Sequence, residues 1–338
     1  MPKTTAVAIL NWNGAHLLQR FLPSVIKYSP DTAEIYVIDN ASSDASLEIL
    51  AKEFPSVKLI RNAGNYGYAQ GYNEGLNSIP EEFVVLLNSD VEVTENWLTP
   101  LINHLEKQPN LGAIQPKIRD LKQPDHFEYA GASGGWVDTL GYPFCRGRIF
   151  DSLEKDQGQY DTYQEVFWAS GACLAVRKEA FRKAGKLDES FFAHMEEIDL
   201  CWRMHLNGYK VACEPTSVVY HLGGATLNKL SPQKTYLNFR NSLIMLYLNL
   251  PGFEGFSKIL QRLVLDGVAG IKFMLEGKFP HVWSILRAHF SFYSRFNALS
   301  RKRINRPARP LKDLPGVYKH SVVKAFYLGG KKRFGDLF

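Results

Sequence analysis

Four short β-branched runs, at 5–10, 34–39, 57–61 and 83–87, alternate with apolar stripes at helical spacing, and nothing else in the chain limits its fold as strongly. Leu17, Leu18, Phe21, Leu22, Val25 and Ile26 form the first stripe, and Leu47, Leu50 and Phe54 the second. Buried strands separated by helices pack as a parallel sheet wound with helices on both faces. Pro23 predicts a kink or an early end in the first helix. The first, second and fourth runs end in Asn11-Trp12-Asn13, in the stretch from Asp39 to Asp44, and in Asn88-Ser89-Asp90. In an open α/β sheet the ligand crevice lies beyond the carboxyl ends of the strands, so the three turns should converge on one site. Each turn alone is also an ordinary helix start, and Asp44 is a good N-cap.

Further along, residues 96–107 read as an amphipathic helix with Trp97, Leu98, Leu101, Ile102 and Leu105 on one stripe. The Gly- and aromatic-rich stretch 127–150 reads as a structured loop of the kind that covers a binding site. A strand over 167–176, an acidic helix from Glu196 to Asn207 stopped by Gly208, and strand pieces ending at His221 follow. From Tyr236 the texture changes. Residues 243–250 and 256–296 are helical, aromatic-rich and punctuated by basic residues, with no run of about 18 apolar residues. Residues 301–338 hold eleven Lys or Arg against two Asp, a local +9, which leaves residues 1–300 at −3 against the chain's +6. A net-acidic body argues against nucleic-acid binding. Amphipathic helices followed by a basic tail predict a peripheral appendage on an anionic membrane surface. Packing on the catalytic core, or on a second copy of the chain as a homo-oligomer, are the alternatives for the helices, and a solvated extension for the tail. The 45% hydrophobic content supplies a core for one large α/β domain plus an appendage. The opening MPKTTAVAIL runs directly into a strand without a cleavage site, and Cys145, Cys173, Cys201 and Cys213 lack metal or redox spacing, so a cytoplasmic address with reduced core cysteines is expected.

Asp90 follows a strand of Phe-Val-Val-Leu-Leu, so its carboxylate emerges at the crevice edge. A divalent cation bound to a diphosphate needs only one or two protein carboxylates, which makes Asp90 a candidate ligand; capping the next helix is the alternative. On a helix starting near Glu196, that residue shares a face with Asp199, Asp199 reaches Arg203, and Glu197 points about 100° away. Asp199 and Arg203 then read as structural and Glu197 as a general base, against the plain reading that an acidic first turn suits the helix dipole. Trp168 is equally an acceptor-side stacking platform or a core residue. Gly64, Gly67, Gly71 and Gly75 do not form GxGxxG and follow the third strand, which argues against a dehydrogenase.

AILNWNG (8–14), YVIDNASSD (36–44), RNAGNYGYAQGYNEGL (61–76), LLNSDVEV (86–93), GACLAVRKEAF (171–181), FFAHMEEIDLCWRMHLNGY (191–209) and VVYH (218–221) stand in this order over about residues 4–225. With them the chain resembles the bacterial family 2 glycosyltransferases of the GT-A fold, in the branch of rhamnosyltransferase-like and galactofuranosyltransferase-like enzymes. The resemblance implies a Rossmann-like, doubly wound mixed α/β sheet with a C-terminal helical appendage. The catalytic domain would cover 1–230 (nucleotide-binding half 1–95, acceptor half 96–230), the amphipathic helices 231–300 and the basic tail 301–338. The implied reaction is a metal-dependent, inverting transfer of a hexosyl or deoxyhexosyl unit, with Mn2+ or Mg2+, from a UDP- or dTDP-sugar to a hydroxyl of a cell-surface polysaccharide or lipid-linked glycan, at the cytosolic face of the inner membrane.

Carried over residue by residue, Asp39 would accept a hydrogen bond from the pyrimidine base, and Asn11, Trp12 and Asn13 would lie against the nucleotide. Asn65, Asn73 and Ser89 would line the same pocket. Asp90 would hold the metal and His221 complete its coordination, while Glu196 and Glu197 occupy the acidic catalytic motif. Two departures stand out. Glu-Glu replaces the commoner Glu-Asp, which leaves the base open between Glu196 and Glu197. Asn88 replaces the first carboxylate of an Asp-x-Asp, so metal binding leans on His221 or Glu92. A non-catalytic sugar-nucleotide-binding protein in polysaccharide assembly is the alternative, and the presence of Asp90, Glu197 and His221 speaks against it.

Overall fold

A computed structural model of the chain describes residues 4–223, 231–304 and 306–338. The end of the catalytic domain read at 230 therefore lies outside the described residues. The first elements are β1 (Thr5–Asn11), α1 (Ala15–Tyr28), β2 (Ala33–Asp39), α2 (Ser46–Glu53), β3 (Lys58–Arg61), α3 (Gly67–Gly75) and β4 (Phe83–Asn88). β1 pairs in parallel with β2 and β4, and β2 with β3. Val7 and Ile9 of β1 join a core with Leu18, Leu22 and Val25 of α1, while Ala6 and Ala8 join a second core with Ala69 and Tyr72 of α3. Burial on both faces is why these strands read as continuous apolar runs. β3 departs from that reading: it is the outer edge of the sheet, and Lys58, Leu59 and Arg61 are exposed there. α1 does not end early, continuing through Pro23 to Tyr28. Pro23 and Gln19, whose carbonyl loses its helical donor, both sit on the solvent face, and Phe21, Leu22 and Val25 hold the helix on the sheet.

The chain continues through β5 (Val91–Val93), α4 (Thr99–Lys107), β6 (Leu111–Asp120), β7 (Gly135–Asp138), β8 (Pro143–Cys145), β9 (Arg148–Ile149), β10 (Ser152–Leu153), β11 (Gln164–Glu165), β12 (Cys173–Arg177), α5 (Lys178–Lys183), α6 (Glu196–Leu206) and β13 (Lys210–His221). The main sheet has the order β11-β13-β6-β12-β4-β1-β2-β3, with β5 on β13. β12 runs against both β4 and β6, and β13 runs with β6. The sheet is therefore mixed, and the carboxyl ends of β1, β2, β4, β6 and β13 share one edge with the start of β12.

The C-terminal part comprises α7 (Pro232–Asn249), α8 (Gly252–Leu275), α9 (Phe279–Ser294), α10 (Phe296–Ile304), β14 (Val317–Tyr318) and α11 (Val322–Tyr327). The stretch 127–150, read as a loop, instead supplies β7, β8 and β9 to a second sheet of order β10-β9-β8-β7-β14. Its strands are only two to four residues long, too short for alternation to show in sequence. Its last strand comes from the basic tail, which folds back so that Tyr318, Phe334 and Leu337 are buried with Phe144 and Tyr160. All four cysteines are buried and unpaired. No helix among the described residues is long and apolar enough to cross a membrane.

Candidate active site

The first two strand ends lock together through side chains. Asn11, fully buried, donates its Nδ2 to Asp39 Oδ1 (3.1 Å) and to Ser42 Oγ (3.1 Å). Asp39 also accepts the Ser42 backbone N–H at 2.9 Å and the Ser42 hydroxyl at 2.6 Å. A carboxylate has about four acceptor positions, so Asp39 shapes the turn and keeps capacity for one more donor. Asn13, at φ 49°, accepts from the Ser43 N–H at 2.8 Å, and Trp12 stands 50% exposed between them. The Asn11 Oδ1 is buried without a partner among the described residues, and a Cβ on Gly14 would lie 2.4 Å from it. Only glycine fits beneath that oxygen. Asp44 accepts from the Ser46 N–H at the start of α2, as a cap should, and from the Ala15 N–H at the start of α1.

At the end of β4, Asp90 is not a helix cap, because β5 follows it and α4 begins only at Thr99. β5 pairs with β13 in the register Val91 to His221, which brings the imidazole beside Asp90: Nε2 is 3.1 Å from Oδ1. Glu92 lies on the other face of β5, exposed and opposite Tyr220, so it does not join His221. The second carboxylate at His221 is Glu128, 3.5 Å from Nδ1. Burial lowers the His221 pKa, but the Asp90 hydrogen bond and the Glu128 carboxylate outweigh it and push it up to about 10. The pocket thus already favours positive charge. Two donors 3.1 Å apart also match neighbouring ligands of a hard divalent cation, which lie about 3 Å apart when each bond is about 2.1 Å. Among the described residues no group of three or more His, Cys, Asp or Glu could hold a metal alone. Phosphate oxygens and water have to supply the other ligands.

The acidic pair enters from α6. The preceding loop is contorted, with Phe192, His194 and Met195 all at positive φ (67°, 67° and 74°), a conformation that side-chain-bearing residues adopt only when the surroundings hold it. Asn241 of α7 is what holds it: its Nδ2 lies 3.1, 2.9 and 2.7 Å from the carbonyls of Phe191, Ala193 and His194. Glu196 is buried and Glu197 half-buried, and each has one carboxylate oxygen enclosed without a partner among the described residues. Burial pushes Glu197 up to about 7, and burial with repulsion from Glu197 holds Glu196 well above the ordinary range. A Cβ on Gly171 would lie 2.7 Å from the Tyr68 hydroxyl and 3.7 Å from the Glu197 Cβ. Tyr68 donates to the Gly171 carbonyl (2.9 Å), and Asn88 at the end of β4 donates to that of Ala172 (3.0 Å). Glu197 therefore stands at the same sheet edge as Asn88. Asp199 is fully engaged, with Arg203 (2.8 Å), Asn249 (2.7 Å) and Arg306 (3.1 Å), which agrees with its structural reading.

Other expected site residues stand elsewhere or do other work. Trp168 is a core residue, its N–H donated to the Trp136 carbonyl and its ring face covered by Gly135, so the stacking-platform reading fails. Asn73 spends both ends of its amide on Leu187, with Glu189 also in reach, and so ties α3 to the segment before the catalytic loop. Asn65 is exposed and accepts from the Gly67 N–H in a local turn. Ser89 is half-buried between Asn88 and Asp90. Ser42, Tyr68, Glu128 and Asn241 went unread in the sequence. Ser42 lay inside a quoted motif, whereas Glu128 and Asn241 reach the site only through tertiary contacts.

The sequence profile of glycosyl transferase family 2 matches residues 6–185, more than half of the chain. Over 233 residues the chain is 28% identical to the N-acetylglucosaminyl-diphospho-decaprenol L-rhamnosyltransferase of Mycobacterium tuberculosis, covering 64% of this chain and 74% of that one. Among solved structures it is similar to GalNAc-T7 with UDP, GalNAc and Mn2+ (TM-score 0.59, 20% identity, 75% of this chain and 49% of that one). It is also similar to residues 1–349 of Staphylococcus aureus TarS in complex with UDP-GlcNAc (TM-score 0.51, 17% identity, 89% and 76%). The mixed sheet is thus that of the GT-A glycosyltransferases, and the chain belongs to glycosyl transferase family 2.

Proposed function

We propose that the chain is an inverting transferase that moves one sugar from a UDP- or dTDP-sugar to a hydroxyl of a cell-surface polysaccharide or lipid-linked glycan, at the cytosolic face of a membrane. The observation that carries this reading is the single sheet edge where the Asn11–Asp39 turn, the Asp90–His221 pair and Glu197 meet. Asn11, Trp12, Asn13, Asp39 and Ser89 bind the nucleotide, Asp39 through its remaining acceptor position. Asn65 and Asn73 act at one remove, by shaping the 64–75 turn and helix. Asp90 and His221 hold a divalent cation, Mn2+ or Mg2+, which when bound stabilises charge on the leaving diphosphate. Glu197 takes the proton from the acceptor hydroxyl. The freed oxygen bonds to the anomeric carbon as the carbon–oxygen bond to the diphosphate breaks, its electron pair leaving with the diphosphate. Attack from the opposite face inverts the anomeric configuration. The Mn2+ and UDP-sugar complexes of the structural neighbours support the donor and metal classes, and the diphospho-decaprenol in the mycobacterial relative's name supports a lipid-linked acceptor.

Purified protein offered a panel of nucleotide sugars with Mn2+ or Mg2+ should release UDP or dTDP from one donor, and a chelator should abolish that release. Asp90→Ala should lose the metal-dependent part of donor affinity in calorimetry. Donor binding without any turnover would favour the non-catalytic alternative, and a product with retained configuration would overturn the mechanism.

A further inference from the structure

α8 and α9 are apolar on the side that nothing covers. Phe256, Leu260, Val264 and Ile271 recur at helical spacing along α8, and Trp283 and Phe290 along α9; all are exposed, Trp283 by 60% and Phe290 by 68%. These helices do not need that face for folding, since the opposite side of α9 already buries Ile285, Ala288 and Phe292. An apolar face of this length and aromatic content is a docking surface.

The charges around it choose the occupant. No Asp or Glu stands between Glu276 and Asp313, whereas nine Lys or Arg do; Lys278 pairs with Glu276, and Lys302 and Arg306 with Asp188, which leaves six without an acidic partner among the described residues. On α8, Asp266 is buried against Arg262 and His289. Beside Gln261 of α8 opens a cleft lined by His320, Lys324 and Lys331. Aromatic and aliphatic side chains flanked by cations suit the headgroup boundary of an anionic bilayer. A two-fold pair of these faces would instead bring the same cations together.

We infer that the α8–α9 face docks on an anionic lipid surface, with the apolar stripe in the acyl boundary and the basic flank on the headgroups. α7 packs against both helices and bonds the loop before α6 through Asn241, so it links the docked face to the acidic pair. Only the consequence that docking presents a lipid-linked acceptor to Glu197 rests on the transferase reading.

The full chain is tested by co-sedimentation with vesicles of phosphatidylcholine alone and with about a third phosphatidylglycerol. Strong binding to the anionic vesicles only, weakened by salt, is expected, with partitioning reduced by about tenfold or more in a L260S/W283S/F290S variant. Brominated acyl chains should quench tryptophan emission in the unmodified protein, an arm that does not depend on how the variant folds. Equal binding to both vesicles, binding to neither, or a stable dimer that the triple substitution dissociates would each overturn the inference. Donor turnover in vesicle-free buffer is measured separately: its absence alongside intact vesicle binding counts against the transferase reading and leaves the docking face standing.

Discussion

Glu196 and Glu197 are neighbours with unequal surroundings, and under the proposed mechanism that inequality gives them different roles. Glu197 is half-buried, has an oxygen without a partner among the described residues, and is pushed by burial up to about 7. A base acts in its ionised form, so kcat/KM should rise with pH through an acidic limb near neutrality. Tyr68, a titratable neighbour, is held above its ordinary value and adds no acidic limb there, whereas Glu196 and Glu197 repel each other, so the limb belongs to the acidic pair. Glu197→Gln should lower kcat by roughly 10²–10⁴ and flatten the limb while donor affinity stays; a pH–rate profile of both proteins checks this. Glu196 should behave in the opposite way. Its folded pKa is raised, so its burial penalty is absent below the unfolded value and grows as pH rises. Glu196→Gln should therefore melt higher than the unmodified protein at pH 8 and alike at pH 4.5, provided Glu196 is not the base. At this scale the place of Asp90 at a strand end and the pairing of Asp199 with Arg203 could be read from strand ends and helical spacing. Glu128 could not, because it reaches His221 only through β6, which pairs with β13 and carries the 127–128 stretch on Ile118 and Arg119.

Among the elements, α7 is the one whose sequence hides its work. Its hydrophobic residues read as an ordinary helix, yet the two amide N–H groups of Asn241, fully buried, are shared among three carbonyls of a loop with three residues in the left-handed region, and Arg240 also donates to the Phe191 carbonyl (2.8 Å). Each such residue costs on the order of 1–3 kcal/mol, which the loop sustains only while its carbonyls are engaged. Asn241→Ala should release the loop, lowering kcat about tenfold or more with little change in donor KM, and raising hydrogen exchange over 191–197. Equal losses in both kinetic constants, or unchanged exchange, would show that the loop holds itself. The parallel strands were readable because burial on both faces leaves unbroken apolar runs. β7, β8 and β9 were not, since strands this short show no alternation, and β7 is completed by β14 from the far end of the chain.

For the molecule as a whole, the unanticipated feature is that a segment with a local charge of +9 closes the fold instead of trailing from it. Charge counts said nothing of the aromatic residues spaced among the lysines: Tyr318, Phe334 and Phe338 meet Trp136 and Phe144 of the second sheet and Tyr160 between β10 and β11. The same segment satisfies buried acceptors, with the Val322 N–H on Asp138 (3.0 Å) and the Phe334 N–H on Glu154 (2.9 Å). Arg306 reaches Asp188 and Asp199, so the tail's entry also braces α6, the helix of the acidic pair. A solvated extension and this packed closure predict different outcomes for one substitution. Phe334→Ala removes a ring that touches four aromatic neighbours, Trp136, Phe144, Tyr160 and Phe338. Large-to-small changes at such sites cost about 3 kcal/mol, enough to lower the melting temperature by several degrees. Replacing the exposed Lys332 by Ala should leave it unchanged. If thermal unfolding finds Phe334→Ala as neutral as Lys332→Ala, the tail does not close the fold in solution. If only Phe334→Ala melts early, the basic residues ride on a segment that folding requires, and those beside α8, such as Lys324 and Lys331, are left to serve that surface.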